Sequence, residues 1–281
     1  MNKNSVKVAV IDLYNNEPNE GMRCIQEIVN EADSKYNLIP VEYKVFTTRY
    51  NNETPDENFD IYISSGGPGS PFEGEGSIWE KNYFNLIDKI WSHNQNNEAN
   101  KKHIFFICHS FQMMARYFKF GEVAKRNSYS FGIFPVHKTE EGKEEYLFQN
   151  LPEPFYAADF RGFQVIQPDE KVIEELGAKI LSLEKVRPHV DYERALMAVR
   201  ISGQIVGTQF HPEADRQSMY YHFKKPERKE QVVSKYGEEK YFEMLALLEK
   251  PDTISLTREN VLPRFLKNGI EELRPELISA E

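Results

Sequence analysis

The alternation of short β-branched runs with helical stripes across residues 6–118 restricts this chain more than any other feature. Residues 6–13 (VKVAVIDL) are a continuous apolar run bounded by polar residues, the pattern of a strand buried on both faces. Met22, Ile25, Ile28, Val29 and Ala32 then recur at helical spacing over 22–32. Residues 41–46 read as a second strand, 61–65 as a third that runs into SGGPGSP, and His103–Ile107 (HIFFI) as a fourth. Residues 78–90 set Trp79, Tyr83, Leu86, Ile87 and Ile90 on one helical face, and 111–118 follow the fourth strand as a helix. Strands that alternate with helices in this way predict a mostly parallel sheet with helices on both faces, an α/β fold.

The pattern changes between Phe131 and Phe210. The runs FGIFPVHKT, EEYLFQ, PFYAADF, AKILSLEKV, RALMAVRI and QIVGTQF are short and extended, and only 171–176 is patterned for a turn or two of helix. No Gly/Ser-rich linker marks a boundary, so these hairpins are expected to extend the same sheet. Helical stripes return at 235–248 and 258–266. The expected organisation is one α/β unit over 1–214, with a hairpin-rich second half, and a helical C-terminal extension over 215–281 packed on it.

Charge and composition exclude whole classes of function. With 35 basic and 44 acidic side chains the net charge is −9, which argues against a general nucleic-acid binder. No stretch approaches the roughly 20 apolar residues of a membrane helix, and the N-terminus reads as a strand rather than a secretion signal. Two cysteines cannot staple 281 residues, so apolar burial must build the core. Free thiols without a secretion signal point to the cytoplasm. Cys24, on the first helical stripe, is expected in the core. His93, His103, His137, His189 and His222 lack ligand spacing, so no metal and no cofactor is expected. The acidic stretch 140–145 reads as a solvated loop, and the aromatic run 219–223 (MYYHF) as packed core.

Three segments carry chemistry. In 106–112 (FICHSFQ), Cys108 falls at a strand-to-helix junction, where a helix N-terminus lowers a thiol pKa and offers N–H groups to an oxyanion. In 64–71 (SSGGPGSP), glycines after a strand bring backbone N–H groups close to a ligand. Gly69 stands where an ATP-pyrophosphatase loop needs an acid, and neither a GxxxxGK[ST] nor a GxGxxG pattern is present. In 207–215 (GTQFHPEAD), Pro212 holds His211 extended, and Glu213 lies within reach of its ring to fix the tautomer.

Together, in this order, Gly66-Gly67-Pro68, the elbow around Cys108 and His211-Pro212-Glu213 resemble the class I (triad) glutamine amidotransferases, particularly the GMP-synthase-like branch. The resemblance spans 6–214 and implies a flavodoxin-like fold. It implies that Cys108 attacks the glutamine side-chain amide, His211 is the base and Glu213 orients it. The N–H groups of Gly67 and His109 would bind the oxyanion, and Gln112 would contact the glutamine. Ser130-Phe131-Gly132 would match a segment that holds the substrate's amino-acid end. Two departures stand out. Phe106 and Ser110 replace the glycines that flank the family's elbow, and 159–164 (DFRGFQ) occupies the place of a substrate-linked His motif.

Other readings stay open. The pair Cys108-His109 is similar to the elbow of PfpI/DJ-1-like proteins, in which the His after the Cys is catalytic. Phe106 motivates a non-catalytic amidotransferase-like binding protein. For an active enzyme, the substrate is glutamine or another γ-glutamyl amide. The ammonia would pass to a separate synthase subunit, or the chain would work alone as an amidase or γ-glutamyl hydrolase.

Overall fold

Strand β1 (Val6–Asp12) lies one in from an edge of the sheet, pairing in parallel with β2 (Val41–Thr47) and β3 (Ile61–Ser64). β3 pairs in parallel with β4 (His103–Ile107), and β4 with β9 (Ile205–Thr208). Beyond β9 the sheet continues antiparallel through β8 (Leu196–Arg200), β7 (Lys179–Glu184), β5 (Glu122–Lys138) and β6 (Phe155–Ile166). The computed structural model describes residues 5–36, 40–186, 193–250 and 253–275. Among them the nine strands form one sheet, order β2-β1-β3-β4-β9-β8-β7-β5-β6. All but β5 and β8 run in one direction, giving the mostly parallel, flavodoxin-like α/β sheet.

Side-chain alternation sorts each central strand onto two helix layers. Val6, Val8 and Val10 of β1 pack with Phe105 and Ile107 of β4 against Met22, Ile25, Ile28, Val29 and Ala32 of α1 (Gly21–Tyr36). On the opposite face Ala9, Ile11, Ile104 and Phe106 meet α3 (Ile78–Asn96) and α4 (His109–Phe118) through Tyr83, Leu86, Ile87, Phe111 and Met114. A short helix, α2 (Thr48–Asn51), follows β2. α5 (Glu140–Glu144) and α6 (Glu170–Leu176) flank the antiparallel half. Cys24 is fully buried, and burial pushes its thiol up to about 12.

After the sheet come α7 (Arg216–Phe223), α8 (Pro226–Tyr236), α9 (Glu238–Glu249) and α10 (Ile254–Leu273). α10 is a core element, since Val261, Leu262, Phe265 and Leu266 join the cluster of β1 and α1. The expected stripe over 235–248 is two helices, broken at Gly237, whose φ of 86° favours glycine. In the run 219–223, Met219 and Phe223 are buried and Tyr221 is exposed. The expectation of a solvated loop at 140–145 fails. Most of this stretch forms α5, and Glu145 is buried in a pair with Arg200, its oxygens 2.6 and 2.8 Å from the guanidinium. A partner far along the chain leaves no local trace of that pairing. His189 lies outside the described residues.

Phe106 finds its space across the strand pair. It is fully buried and sits opposite Gly207 of β9. A Cβ on Gly207 would lie 3.0 Å from both the Phe106 Cβ and the Phe111 ring. The bulk gained on β4 is therefore matched by a missing side chain on β9. Gly207→Val is expected to destabilise the fold by about 1–3 kcal/mol through overpacking. A urea double-mutant cycle with Phe106→Ala checks this, and additive effects would contradict it.

Candidate active site

β1, β3, β4 and β9 run the same way, so the segments that follow them emerge at one sheet edge. Cys108 follows β4 with φ 49° and ψ −97°, a strained backbone for a residue with a side chain. Its N–H donates to the Thr208 carbonyl at 2.8 Å and its carbonyl accepts from the Gln112 N–H at 3.1 Å, so β9 and α4 clamp it from either side. Ser110 adds a brace: its hydroxyl accepts from the Ile107 N–H at 2.7 Å and donates to the Ser64 carbonyl at 2.8 Å. The residue that replaces the family's second elbow glycine thereby ties the elbow to β3.

The Cys108 side chain is buried, with 4% exposure. Its Sγ lies 3.6 Å from the Phe160 carbonyl, and the Gln209 side-chain amide approaches it at 3.7 Å. Gln112 donates to Gln209 Oε1 at 3.2 Å and to the Phe163 carbonyl at 3.3 Å, so it reaches the thiol through Gln209. The sequence reading missed Gln209, although it lies in the same segment as His211.

His211 is held by its own backbone, whose N–H donates to the Ala158 carbonyl at 2.8 Å and bridges β6. Its Nδ1 sits 2.8 Å from Oε1 of Glu213, a carboxylate that is 1% exposed. Burial opposes a charged imidazole, yet the Glu213 carboxylate and a hydrogen bond and charge interaction with Cys108 raise its pKa well above the ordinary value. Cys108, His211 and Glu213 are thus brought together. His109 is not part of that group. Burial and the cations Arg49 and Arg116 push it down to about 3, so its imidazole is neutral in the core.

The Gly66-Gly67 loop passes close to this group because both side chains are missing. A Cβ on Gly66 would lie 2.8 Å from the His211 ring, and one on Gly67 would lie 2.5 Å from the Leu13 carbonyl. Arg49 holds the loop by donating to the carbonyls of Leu13 at 3.1 Å and Pro68 at 2.8 Å, and Ser65 Oγ accepts from the Leu13 N–H at 2.9 Å. The N–H of His109, first in α4, has no intrahelical acceptor. Tyr14, just after β1, is a second residue the sequence reading missed; burial and the charges of Glu213 and Cys108 raise its phenol. No motif announces it. At Ser130-Phe131-Gly132, the Ser130 hydroxyl donates to Asp159 at 2.8 Å, and Phe131 packs on Phe223 with ring centroids 5.0 Å apart. A Cβ on Gly132 would overlap Met244. Asp159 also pairs with Arg161 at 2.9 Å, so the start of the segment 159–164 is committed to a buried ion-pair network.

A cleft of about 190 Å³ borders this site, with Tyr14, Gly67, His211, Glu213, Tyr129, His222, Lys225 and Arg228 among its lining residues. A thiol at a helix N-terminus beside a carboxylate-bound imidazole can act as a nucleophile with its proton acceptor in place. Among the described residues no three His, Cys, Asp or Glu side chains are grouped to hold a metal.

The raised imidazole pKa has a consequence for stability. Its contribution is complete below the unfolded value near 6.5 and is lost as pH rises through the folded one. Urea midpoints are expected to fall as pH rises above about 6.5, and Glu213→Gln should flatten that slope. An unchanged slope in the variant would contradict the pairing.

Comparison with known proteins agrees with this architecture. The family described as glutamine amidotransferase class-I matches residues 23–225. Among curated proteins none matches the sequence. A glutamine amidotransferase from Thermotoga maritima has the same fold at 19% identity and a TM-score of 0.62, over 95% of this chain and 98% of that one. A putative GMP synthase subunit from Thermoplasma acidophilum matches at 18% identity and 0.52, over 84% and 97%. The glutaminase domain of Trypanosoma brucei CTPS, with bound acivicin, matches at 12% identity and 0.53, over 74% and 86%. The chain belongs to the class I glutamine amidotransferases.

Proposed function

We propose that this protein hydrolyses the side-chain amide of glutamine, or a related γ-glutamyl amide, through a thioester on Cys108. The observation that carries the reading is the strained Cys108 beside the 2.8 Å His211–Glu213 pair at one sheet edge. His211, as imidazolium, already holds the thiol's proton; the Sγ thiolate attacks the amide carbon, and His211 delivers that proton to the departing ammonia. Glu213 holds the imidazole tautomer and stabilises its charged form. The N–H groups of Gly67 and His109 stabilise the oxyanion. Water activated by His211 then cleaves the thioester, releasing the acid and the free thiol. Gln112, its amide held by Gln209 and the Phe163 carbonyl, contacts the glutamine from the first turn of α4.

The competing readings each meet a contrary observation. A His109 base is disfavoured because burial and the nearby cations push that imidazole down to about 3, too low to hold a proton from the thiol. The non-catalytic reading rested on Phe106, whose bulk lies against Gly207 on the α3/α4 face. We also propose that 1–214 form the amidotransferase unit and 215–281 an extension to it. The ammonia would go to a separate synthase subunit, in keeping with the description of one structural neighbour as part of a GMP synthase. A standalone hydrolase is the other outcome. Both free cysteines are buried, which fits a reducing compartment, the cytoplasm. No described helix is long and apolar enough to cross a membrane.

Purified protein is expected to release ammonia from glutamine, with robust partner-free turnover favouring the hydrolase. Cys108→Ala should abolish it, and His211→Ala should lower kcat by at least roughly 10²–10⁴-fold, the usual contribution of a positioned acid–base group. His109→Ala should stay within about tenfold of the parent, because it moves no proton. An electrophilic glutamine analogue should label Cys108 covalently. Loss of activity in His109→Ala with activity kept in His211→Ala would sink the assignment.

In the pH profile of kcat/KM, the alkaline limb marks loss of the imidazolium. Glu213→Gln should move that limb to lower pH, because the adjacent carboxylate favours the imidazolium. A limb that stays in place would separate Glu213 from the mechanism.

A further inference from the structure

The hydroxyl of Tyr14 lies beside the imidazole–carboxylate pair, yet it makes no hydrogen bond to a described residue. Its place is built by the backbone. Tyr14 follows β1 at the sheet edge, where its N–H donates to Asp12 Oδ1 at 2.7 Å and its carbonyl accepts from the Glu17 N–H at 3.0 Å. Two glycines clear the slot that the ring enters. A Cβ on Gly66 would lie 3.1 Å from the Tyr14 hydroxyl and 2.8 Å from Cε1 of His211. One on Gly21 would collide with the same hydroxyl and lie 3.3 Å from Glu213 Oε1. The phenol therefore borders both members of the pair. Burial and the charges of Glu213 and Cys108 raise its pKa well above the ordinary value, so it keeps its proton.

Solvent reaches the pair from the cleft of about 190 Å³ that Tyr14, His211 and Glu213 all line. His211 keeps 11% of its side chain exposed while Cys108 is buried, so water meets the imidazole before the thiol. Nδ1 of His211 is committed to Glu213 at 2.8 Å, which leaves Nε2 to take a proton from water. An ordered water needs two or more polar partners, and a phenol can both donate and accept. We infer that the Tyr14 hydroxyl holds the water that hydrolyses the thioester on Cys108 and presents it to His211. This rests on the amidase reading above and gives its second half-reaction a residue of its own. The water oxygen bonds to the acyl carbon as one of its protons passes to Nε2 of His211. The carbon–sulfur bond breaks, leaving the acid and the Cys108 thiolate. Tyr14 neither gains nor loses a proton across the step.

The test separates the two half-reactions in full-length Tyr14→Phe, which keeps the ring and removes the hydroxyl. With glutamine, steady-state ammonia release should fall roughly ten- to hundredfold. The first turnover should survive as a burst of about one ammonia per Cys108, because acylation needs no water. Acid quenching followed by mass spectrometry should find the glutamyl group on Cys108 of the variant, and little of it on the parent. Hydroxylamine, a stronger nucleophile that does not depend on a held water, should restore most of the lost turnover and yield the γ-glutamyl hydroxamate. A folding defect would lose the burst and would not respond to hydroxylamine. Unchanged hydrolysis, a burst lost in step with turnover, or turnover that hydroxylamine leaves low overturns the inference, while ammonia release by the parent keeps the amidase reading. A parent that neither releases ammonia nor becomes acylated overturns both.

Discussion

The rest of the structure depends on holding one residue in an unfavourable backbone conformation. Cys108 sits at a φ of 49°. Such a conformation costs on the order of 1–3 kcal/mol, and it persists only where the surroundings over-determine it. β9 takes the Cys108 N–H, α4 takes its carbonyl, and the Ser110 hydroxyl locks the preceding peptide to the end of β3. Each of these groups belongs to an element whose position is set by burial in one of the two helix layers. Strain at the elbow is therefore balanced by packing across the whole parallel half of the sheet, and the thiol gains a fixed direction.

The same logic explains how departures from the family pattern are absorbed. A bulky Phe106 before the elbow is compatible with the fold because the facing residue is Gly207, so the volume is exchanged across a strand pair. Ser110 brings a hydroxyl where a glycine offers only space, and it closes two hydrogen bonds in a buried region where an open donor is costly. The loop glycines work in the opposite sense. Gly66 and Gly67 are needed for what they lack, since any side chain would collide with the His211 ring or the Leu13 backbone. The C-terminal helices complete the arrangement: α10 is part of the main core, while α7 and the start of α8 face the cleft.

Much of this was legible in the sequence, and the failures have a common cause. The strands of the parallel half and the helices between them follow from periodicity because each buries a regular stripe. The three segments that meet at the sheet edge were recognisable because turn chemistry, Gly-Gly-Pro and His-Pro-Glu, is local. Tyr14, Gln209 and Arg49 were not foreseen, since each acts through a partner brought near by the fold. Glu145 was misread for the same reason, its partner Arg200 lying on a strand far along the chain. The break at Gly237 lay inside a continuous amphipathic stripe, which the helical period alone does not interrupt.

By itself, then, the sequence determined the α/β alternation, the thiol, imidazole and carboxylate proposed for the site, and the glycines that let their segments approach. These are set by local pattern and residue chemistry, which need no knowledge of distant neighbours. Only the tertiary structure decided that the His211 imidazole is pushed toward its charged form and the His109 imidazole toward its neutral one. The difference is a carboxylate at 2.8 Å in one case and a pair of cations in the other. It also decided that the basic start of α8 faces the cleft. Protonation and exposure depend on which charges folding brings within a few ångströms, and one-dimensional spacing does not carry that information.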